Sequence, residues 1–333
     1  MEVINKQDRF QLISTNEEIK VDNFANDVKK GLTTEEKFLL SKYFYDQKGS
    51  QLFEQISDLN EYYLTRTERE ILESKSGEIS SLFSDEISMV ELGSGSSEKT
   101  RLLIKAFLKR FGNLFYIPID ISLTILEESS LNLLADFPGL DIQAINATYQ
   151  KGLRKLHTIS EPPRLILFLG SNIGNFQRHD AENFLHCIQE LMHPTDRLLA
   201  GIDLKKDKKE LEAAYNDSLG VTAKFNLNLL ERINRELGGE FDLNEFKHLA
   251  IYNENIGRIE MHLVSKIDQT VHISDINLDV HFRTGETIHT ENSYKYSLHD
   301  IDELAQSAGL HTRERWLDAK ERFSLTFFVP ARD

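Results

Sequence analysis

Val90-Glu91-Leu92-Gly93-Ser94-Gly95-Ser96-Ser97-Glu98-Lys99-Thr100 is the stretch that decides the fold. The apolar run from Ile87 to Leu92 breaks into a turn of small residues, and apolar residues resume with helical spacing in Arg101-Leu102-Leu103-Ile104. Strand, tight turn and helix in that order open a nucleotide-binding α/β unit. The turn also narrows the ligand. A dinucleotide fingerprint starting at Gly93 requires glycine at position 98, as does a phosphate-cradling loop ending in Lys99-Thr100, but Glu98 stands there. Its bulk and negative charge oppose a tightly held polyphosphate. A cationic ligand without phosphate fits better, and S-adenosylmethionine is the commonest one bound at such turns.

Downstream, short apolar runs predict strands at Ile87–Gly93, Leu114–Ile121, Leu140–Ala147, Arg164–Gly170 and Arg197–Asp203. Helical patterns lie between them at Thr100–Arg110, Ser122–Ala135 and Asp180–Met192. Apolar strands alternating with helices imply a parallel sheet covered on both faces. The order then breaks. Two helices are expected over Asp207–Asp217 and Val221–Leu237, the second stopped by Gly238-Gly239, and strands are expected over residues 246–290. A helix at Ser297–Ala308 and a hairpin of His311–Leu317 with Phe323–Val329 close the chain. The expected fold is α/β: a Rossmann-like class I methyltransferase sheet, seven-stranded with its last-added strand antiparallel, and a second α+β substrate-binding lobe. Residues 1–62 are assigned to a helical part of that lobe, 63–204 to the core, 205–295 to the inserted lobe and 296–333 to the end of the core. Helix starts are expected at Thr33-Thr34-Glu35-Glu36 and at Gly49-Ser50-Gln51-Leu52.

The 333 residues, 40% hydrophobic and 28% charged, suffice for one large domain or two ordinary ones with a sizeable core. A net charge of −15 repels polyphosphate, so nucleic acid and anionic membrane are disfavoured as partners and a small molecule is favoured. Cys187 is the single cysteine, which suits a reducing cytosol, and its amphipathic surroundings suggest a buried structural thiol. The N-terminus lacks signal-peptide features, and no apolar run approaches the ~20 residues of a membrane span. A cytoplasmic monomer is expected. His186, Cys187 and His193 form the densest group of metal-ligand types but lack zinc spacing, so no metal is expected.

Ligands of open α/β sheets lie outside the carboxyl ends of the strands. That rule selects Gly93 and Gly95, where backbone can approach a ligand closely. It also selects Asp120, placed for ribose hydroxyls or as a helix cap, with the ribose role favoured. The polar turn Gly170-Ser171-Asn172-Ile173-Gly174-Asn175 follows, and then Asp203, for which function and capping are equally open.

Several blocks together resemble the histidine-specific methyltransferases of ergothioneine biosynthesis. They are Tyr45-Asp46-Gln47-Lys48-Gly49-Ser50-Gln51-Leu52-Phe53, Glu61-Tyr62-Tyr63-Leu64-Thr65-Arg66, the Glu91–Thr100 turn and Phe168–Asn175. To these add Ala214-Tyr215-Asn216-Asp217 with Gly220–Asn226, Arg258-Ile259-Glu260-Met261 and Glu291-Asn292-Ser293-Tyr294-Lys295-Tyr296. The resemblance spans residues 40–330. It implies an S-adenosylmethionine-dependent N-methyltransferase that adds three methyl groups to the α-amino nitrogen of L-histidine, giving hercynine. The superfamily also includes enzymes acting on indole amino acids, so tryptophan or a derivative is the rival substrate; a non-catalytic ligand-binding protein is the rival of another class.

Carried over by position, Gly93, Lys99 and Asp120 would hold the cofactor; Gly95 and Gly170 join them from the strand-end rule, and Thr148 as a substitute contact near the adenine. Tyr62, Asn175 and Tyr215 hold the amino acid's carboxylate and amine. Tyr45 lies near the reacting nitrogen, so it and Asn175 are the catalytic candidates. Met261, Glu291 and Ser293 surround the imidazole. Without the resemblance, Tyr62 reads as an ordinary core aromatic and Glu291 as a solvated loop acid. The chain departs from the family at Asn146-Ala147-Thr148-Tyr149, where a carboxylate near adenine is usual, and at Asn60, where proline is usual.

Overall fold

A computed structural model describes residues 2–14, 21–161 and 163–331. In chain order the strands are β1 (Glu2–Gln7), β2 (Phe10–Ser14), β3 (Ser88–Leu92), β4 (Leu114–Asp120), β5 (Leu140–Asn146), β6 (Arg164–Phe168) and β7 (Arg197–Asp203). There follow β8 (Phe246–Asn253), β9 (Arg258–Ser265), β10 (Gln269–Ile273), β11 (Leu278–Phe282), β12 (Thr287–Tyr294), β13 (Leu310–Leu317) and β14 (Phe323–Pro330). The chain divides into two compact units. The first takes in Met1–Glu17, Arg66–Lys205 and Tyr296–Asp333, and the second Glu18–Thr65 and Lys206–Lys295.

The first unit is built on a nine-stranded sheet in the order β1-β2-β5-β4-β3-β6-β7-β14-β13. Strands β2 to β7 pair in parallel, whereas β14 runs antiparallel to both β7 and β13. The stretch from β5 to β13 is the expected seven-stranded Rossmann-like sheet. Strands β3 and β6 are buried along their whole length, as a parallel sheet covered on both faces requires. The strand order reverses between β3 and β6, which is where open α/β sheets bind ligands.

Three sequence expectations are corrected. The N-terminal residues, assigned to the helical part of the lobe, form the β1-β2 hairpin, and β2 extends the sheet by pairing with β5. Arg9, in the hairpin turn, anchors it by donating to Leu134 O, Phe137 O and Leu140 O at 2.9–3.0 Å, which satisfies carbonyls at the end of helix Leu123–Asp136. Of residues 1–62, positions 1 and 15–20 lie outside the described residues. No helix begins at Thr33. Helix Val21–Leu32 ends there, and the hydroxyls of Thr33 and Thr34 donate back to Lys29 O and Gly31 O, both at 2.8 Å. Cys187 is half-buried, beside rather than within the stripe of Ala181, Phe184, Leu185 and Ile188 on helix Arg178–Leu191. Among the described residues, no helix is long and apolar enough to cross a membrane.

The second unit combines helices Gln47–Ser57, Lys208–Tyr215 and Val221–Leu237 with the antiparallel sheet β12-β9-β8 and the pair β10-β11. Asp46 fixes the start of the first helix: its Oδ1 accepts from Gly49 N–H at 2.7 Å and from Asn228 Nδ2 at 2.9 Å, and its Oδ2 pairs with Arg235 at 2.6 Å. Gly49 is obligatory beside it, because a Cβ there would lie 1.7 Å from Phe44 O. Asp46→Ala removes this cap and should lower stability by about 1–2 kcal/mol. An unchanged urea midpoint for that variant would show that the cap is dispensable.

Candidate active site

The first unit gathers the expected cofactor residues at the carboxyl ends of its central strands. Gly93 and Gly95 follow β3 with φ of 72° and 49°, values that L side chains rarely adopt. Around Gly95 an added Cβ would meet no atom within 4 Å, so open space faces the turn. Ser94, buried between the two glycines, has an Oγ without a hydrogen-bond partner. Asp120 ends β4, and its carboxylate accepts from Gly95 N–H at 3.0 Å and from Ser122 N–H at 2.9 Å. It thus braces the glycine turn and the next helix start together. Burial raises its pKa, and the backbone donors oppose the shift. A carboxylate has about four lone-pair sites, so accepting capacity remains for a ligand beside these backbone donors.

Lys99, an expected cofactor contact, lies at the Gly170 turn, with its Nζ 3.5 Å from where a Gly170 Cβ would stand. Its Nζ pairs with the fully buried carboxylate of Glu68, which also accepts Gly170 N–H at 2.8 Å. Lys99 therefore neutralises an internal brace of the Gly170 turn, where Gly170 and Ser171 take φ of 76° and 58°. Ser171 Oγ accepts from Asp203 N–H at 2.9 Å, linking that turn to the end of β7. Thr148 is exposed just after β5, and Asn146, standing where the family's acid is usual, donates to Asp120 O and Ile121 O at 3.1 and 2.9 Å. Asn175 closes the 3-10 turn Asn172–Asn175 after β6 and is half-buried.

Beneath the glycine turn, Glu91 of β3 accepts from Thr100 Oγ1 at 2.5 Å and from Tyr116 Oη, which lies 3.0 Å from Ser97 Oγ. Desolvation pushes Glu91 up to about 7, although both hydroxyls favour its charged form.

The second unit brings five expected substrate residues into one pocket: Tyr45, Tyr62, Tyr215, Met261 and Glu291, with Phe53 and Phe225 among the other walls. Its aromatic rings meet edge to face. Tyr45 contacts Phe53 and Phe225 at centroid distances of 5.7 and 5.9 Å, and Tyr62 contacts Tyr215 at 6.1 Å. Glu291 reaches this pocket because of a bulge. Strand β12 pairs His289 with His262 but Glu291 with Met261, leaving Thr290 as the extra residue. Without it Glu291 would stand opposite Glu260, on the other face of the sheet. Thr290 Oγ1 donates to Met261 O at 3.1 Å, tying the bulge down. Desolvation pushes Glu291 up to about 7, opposed by the nearby positive charge of Lys295.

Ser293 lies two residues along β12 from Glu291. It is buried, and its Oγ accepts from Tyr215 Oη at 2.8 Å and from Lys295 Nζ at 2.8 Å. Lys295 itself is wholly buried.

A sequence profile described as "Histidine-specific methyltransferase, SAM-dependent" matches residues 24–330. The chain belongs to this family. It is 40% identical over 308 residues to a histidine N-alpha-methyltransferase of Mycolicibacterium smegmatis, covering 91% of this chain and 94% of that protein. It is 32% identical to ergothioneine biosynthesis protein 1 of Neurospora crassa, covering 83% of this chain and 31% of that protein. An L-tryptophan methyltransferase of Psilocybe serbica is 29% identical, with 86% and 87% covered. A methyltransferase of this family uses S-adenosylmethionine, and the Gly93–Gly95 turn fits that cofactor: open space, an orphaned buried hydroxyl and a carboxylate with accepting capacity converge there.

Three buried residues of these networks escape sequence reasoning. Glu68 carries a signal, since Leu64, Glu68 and Leu72 recur at helical spacing and place a carboxylate on a buried stripe. Lys295 continues the period-two series Glu291, Ser293, Lys295 one residue past the end of β12. Tyr116 carries none, because its partner is on the neighbouring strand. The pH dependence of Glu91 is testable. Its folded pKa lies above the unfolded value of 4.5, so its stabilising contribution is full below about 4.5 and is lost as pH rises through about 7. Glu91→Gln should therefore gain stability relative to the wild type between these limits, measured by urea titration across the series. Parallel pH profiles would show that Glu91 keeps an ordinary pKa.

Proposed function

We propose that this enzyme transfers methyl groups to the α-amino nitrogen of L-histidine, three in succession, producing hercynine for ergothioneine biosynthesis. One observation carries the choice of substrate: the bulge in β12 turns a desolvated carboxylate, Glu291, into an aromatic pocket beside Met261. An imidazole N–H is a natural donor to that acceptor. An indole also carries an N–H, but its larger apolar ring leaves the second carboxylate oxygen without a partner, which is costly in a buried site. The relative named for histidine also matches this chain more closely than the relative named for tryptophan.

S-adenosylmethionine, when bound, supplies a methyl group on a cationic sulfur. Gly93, Ser94, Gly95 and Gly170 would offer it backbone and hydroxyl contacts, Lys99 would stand beside it at the Gly170 turn, Asp120 would accept its ribose hydroxyls, and Thr148 would meet the adenine. For the amino acid, Tyr62, Tyr215 and Asn175 orient the carboxylate and amine, and Tyr45 sits near the nitrogen. These groups are neutral, so they position a zwitterion without placing a competing nucleophile at the reacting centre. Alignment of well-placed reactants is worth roughly 7–11 kcal/mol of barrier, so a strong dedicated base is unnecessary. A single cysteine and a net charge of −15 support a cytoplasmic, monomeric enzyme acting on a small molecule, without nucleic-acid or membrane partners.

Incubation with S-adenosylmethionine and a mixture of the twenty amino acids should yield trimethylated histidine by mass spectrometry. Methylated tryptophan in its place would assign the rival substrate. Calorimetry separates the two halves of the site. Glu291→Ala should weaken histidine binding by about 10- to 100-fold, the value of one hydrogen bond to a charged group, while leaving cofactor affinity unchanged. Asp120→Ala should do the reverse, and a joint loss in either variant would undo that residue's assignment.

A further inference from the structure

Lys295 is the buried charge beside the pocket that the proposed mechanism leaves unused. Its Nζ donates to Ser293 Oγ at 2.8 Å and to Tyr215 Oη at 3.1 Å, and it lies 4.9 Å from the centre of the Tyr215 ring. Tyr215 Oη in turn donates to Ser293 Oγ at 2.8 Å. A serine hydroxyl has two lone pairs and one proton, whereas an ammonium group can only donate. With both Ser293 lone pairs taken, by Lys295 and by Tyr215, the Ser293 proton is left to point at an acceptor outside this trio. Glu291, on the same side of β12, is an acceptor when ionised. The two neighbours on the strand thus present opposite polarities, one taking a proton donor and the other offering one.

We propose that Lys295 is a specificity-determining positioning residue: by occupying a Ser293 lone pair it forces the Ser293 hydroxyl to donate, so the site selects a ring with one N–H and one bare nitrogen. Neutral imidazole satisfies both neighbours. Indole, pyrrole and doubly protonated imidazolium offer no lone pair and leave the Ser293 proton unsatisfied in a buried setting. This inference rests on the histidine assignment and supplies its discriminating element.

The test compares histidine with the two pyrrolylalanines, in each of which one imidazole nitrogen is replaced by C–H. Affinities are measured by calorimetry with S-adenosylhomocysteine present. Wild-type enzyme should prefer histidine over the better pyrrolylalanine by about tenfold or more, the worth of one buried hydrogen bond. In Lys295→Met the hydroxyl is free to turn, so this preference should shrink at least about fivefold, while Lys295→Gln, which keeps an N–H donor, should restore it. The ratio cancels any change in the charge of Glu291, since histidine and the better pyrrolylalanine each donate an N–H to it. An unchanged ratio in Lys295→Met, or an equal loss of all ligands, overturns the role of Lys295. Failure of the wild type to bind histidine instead overturns the substrate assignment, and this inference with it. If Lys295→Met does not fold, nitrogen NMR of labelled histidine bound to the wild type decides: one protonated and one bare ring nitrogen support the proposal, and two protonated nitrogens refute it.

Discussion

Carboxylates set beneath the binding turns hold the first unit's site together. Glu68 receives the Gly170 amide and Lys99, Asp120 receives the amides of Gly95 and Ser122, and Glu91 receives the hydroxyls of Thr100 and Tyr116. Each turn uses left-handed backbone at two or more positions and so needs an external anchor to stay in one conformation. A buried carboxylate serves because amide and hydroxyl donors recover part of its lost hydration. Gly201 is part of this arrangement: a Cβ there would lie 1.8 Å from Glu68 Oε1, so the neighbouring strand has to be bare for the glutamate to fit.

The second unit solves a different problem with a different device. Its pocket needs a carboxylate on a face that otherwise carries apolar and aromatic side chains, and strict alternation along β12 would put Glu291 on the wrong side. One inserted residue, Thr290, corrects the parity and brings Glu291 and Ser293 onto the side that Met261 occupies, with Lys295 just past the strand's end. Polarity is then graded along a single strand, from acceptor to hydroxyl to cation.

The sheet was legible in the sequence because strands such as Arg164–Phe168 are continuous apolar runs and the helices between them have clean periodicity. Helix Val221–Leu237 agrees with expectation at both ends, where Gly220 and Gly238 take left-handed φ of 68° and 62°. The β1-β2 hairpin was illegible because its register is set by β5 and by Arg9 bonds that cross about 130 residues of chain, none of which local patterning can register. The threonines at 33 and 34 misled for a related reason: a hydroxyl serves the end of a helix as well as its start, and only the carbonyls within reach decide which. At the site, residue types carried the chemistry but not the pairing. Lys99 reads as a ligand contact, but its pairing with Glu68, 31 residues earlier, is not written in the local sequence.

These carboxylates also bear on which cofactor the turn accepts. Glu68 is offset by Lys99, but Asp120 faces amide donors and no cation that its partners include, and Glu98 adds a further negative charge to the same turn. At separations of several ångströms in a partly desolvated site, unit charges interact by a few kcal/mol at an effective dielectric of about 20. A pyrophosphate would meet that potential as repulsion, and a sulfonium would meet it as attraction. The charge that makes the backbone turn rigid is thus of the sign that favours a cationic donor, so the bracing of the turn and the choice of ligand follow from the same residues.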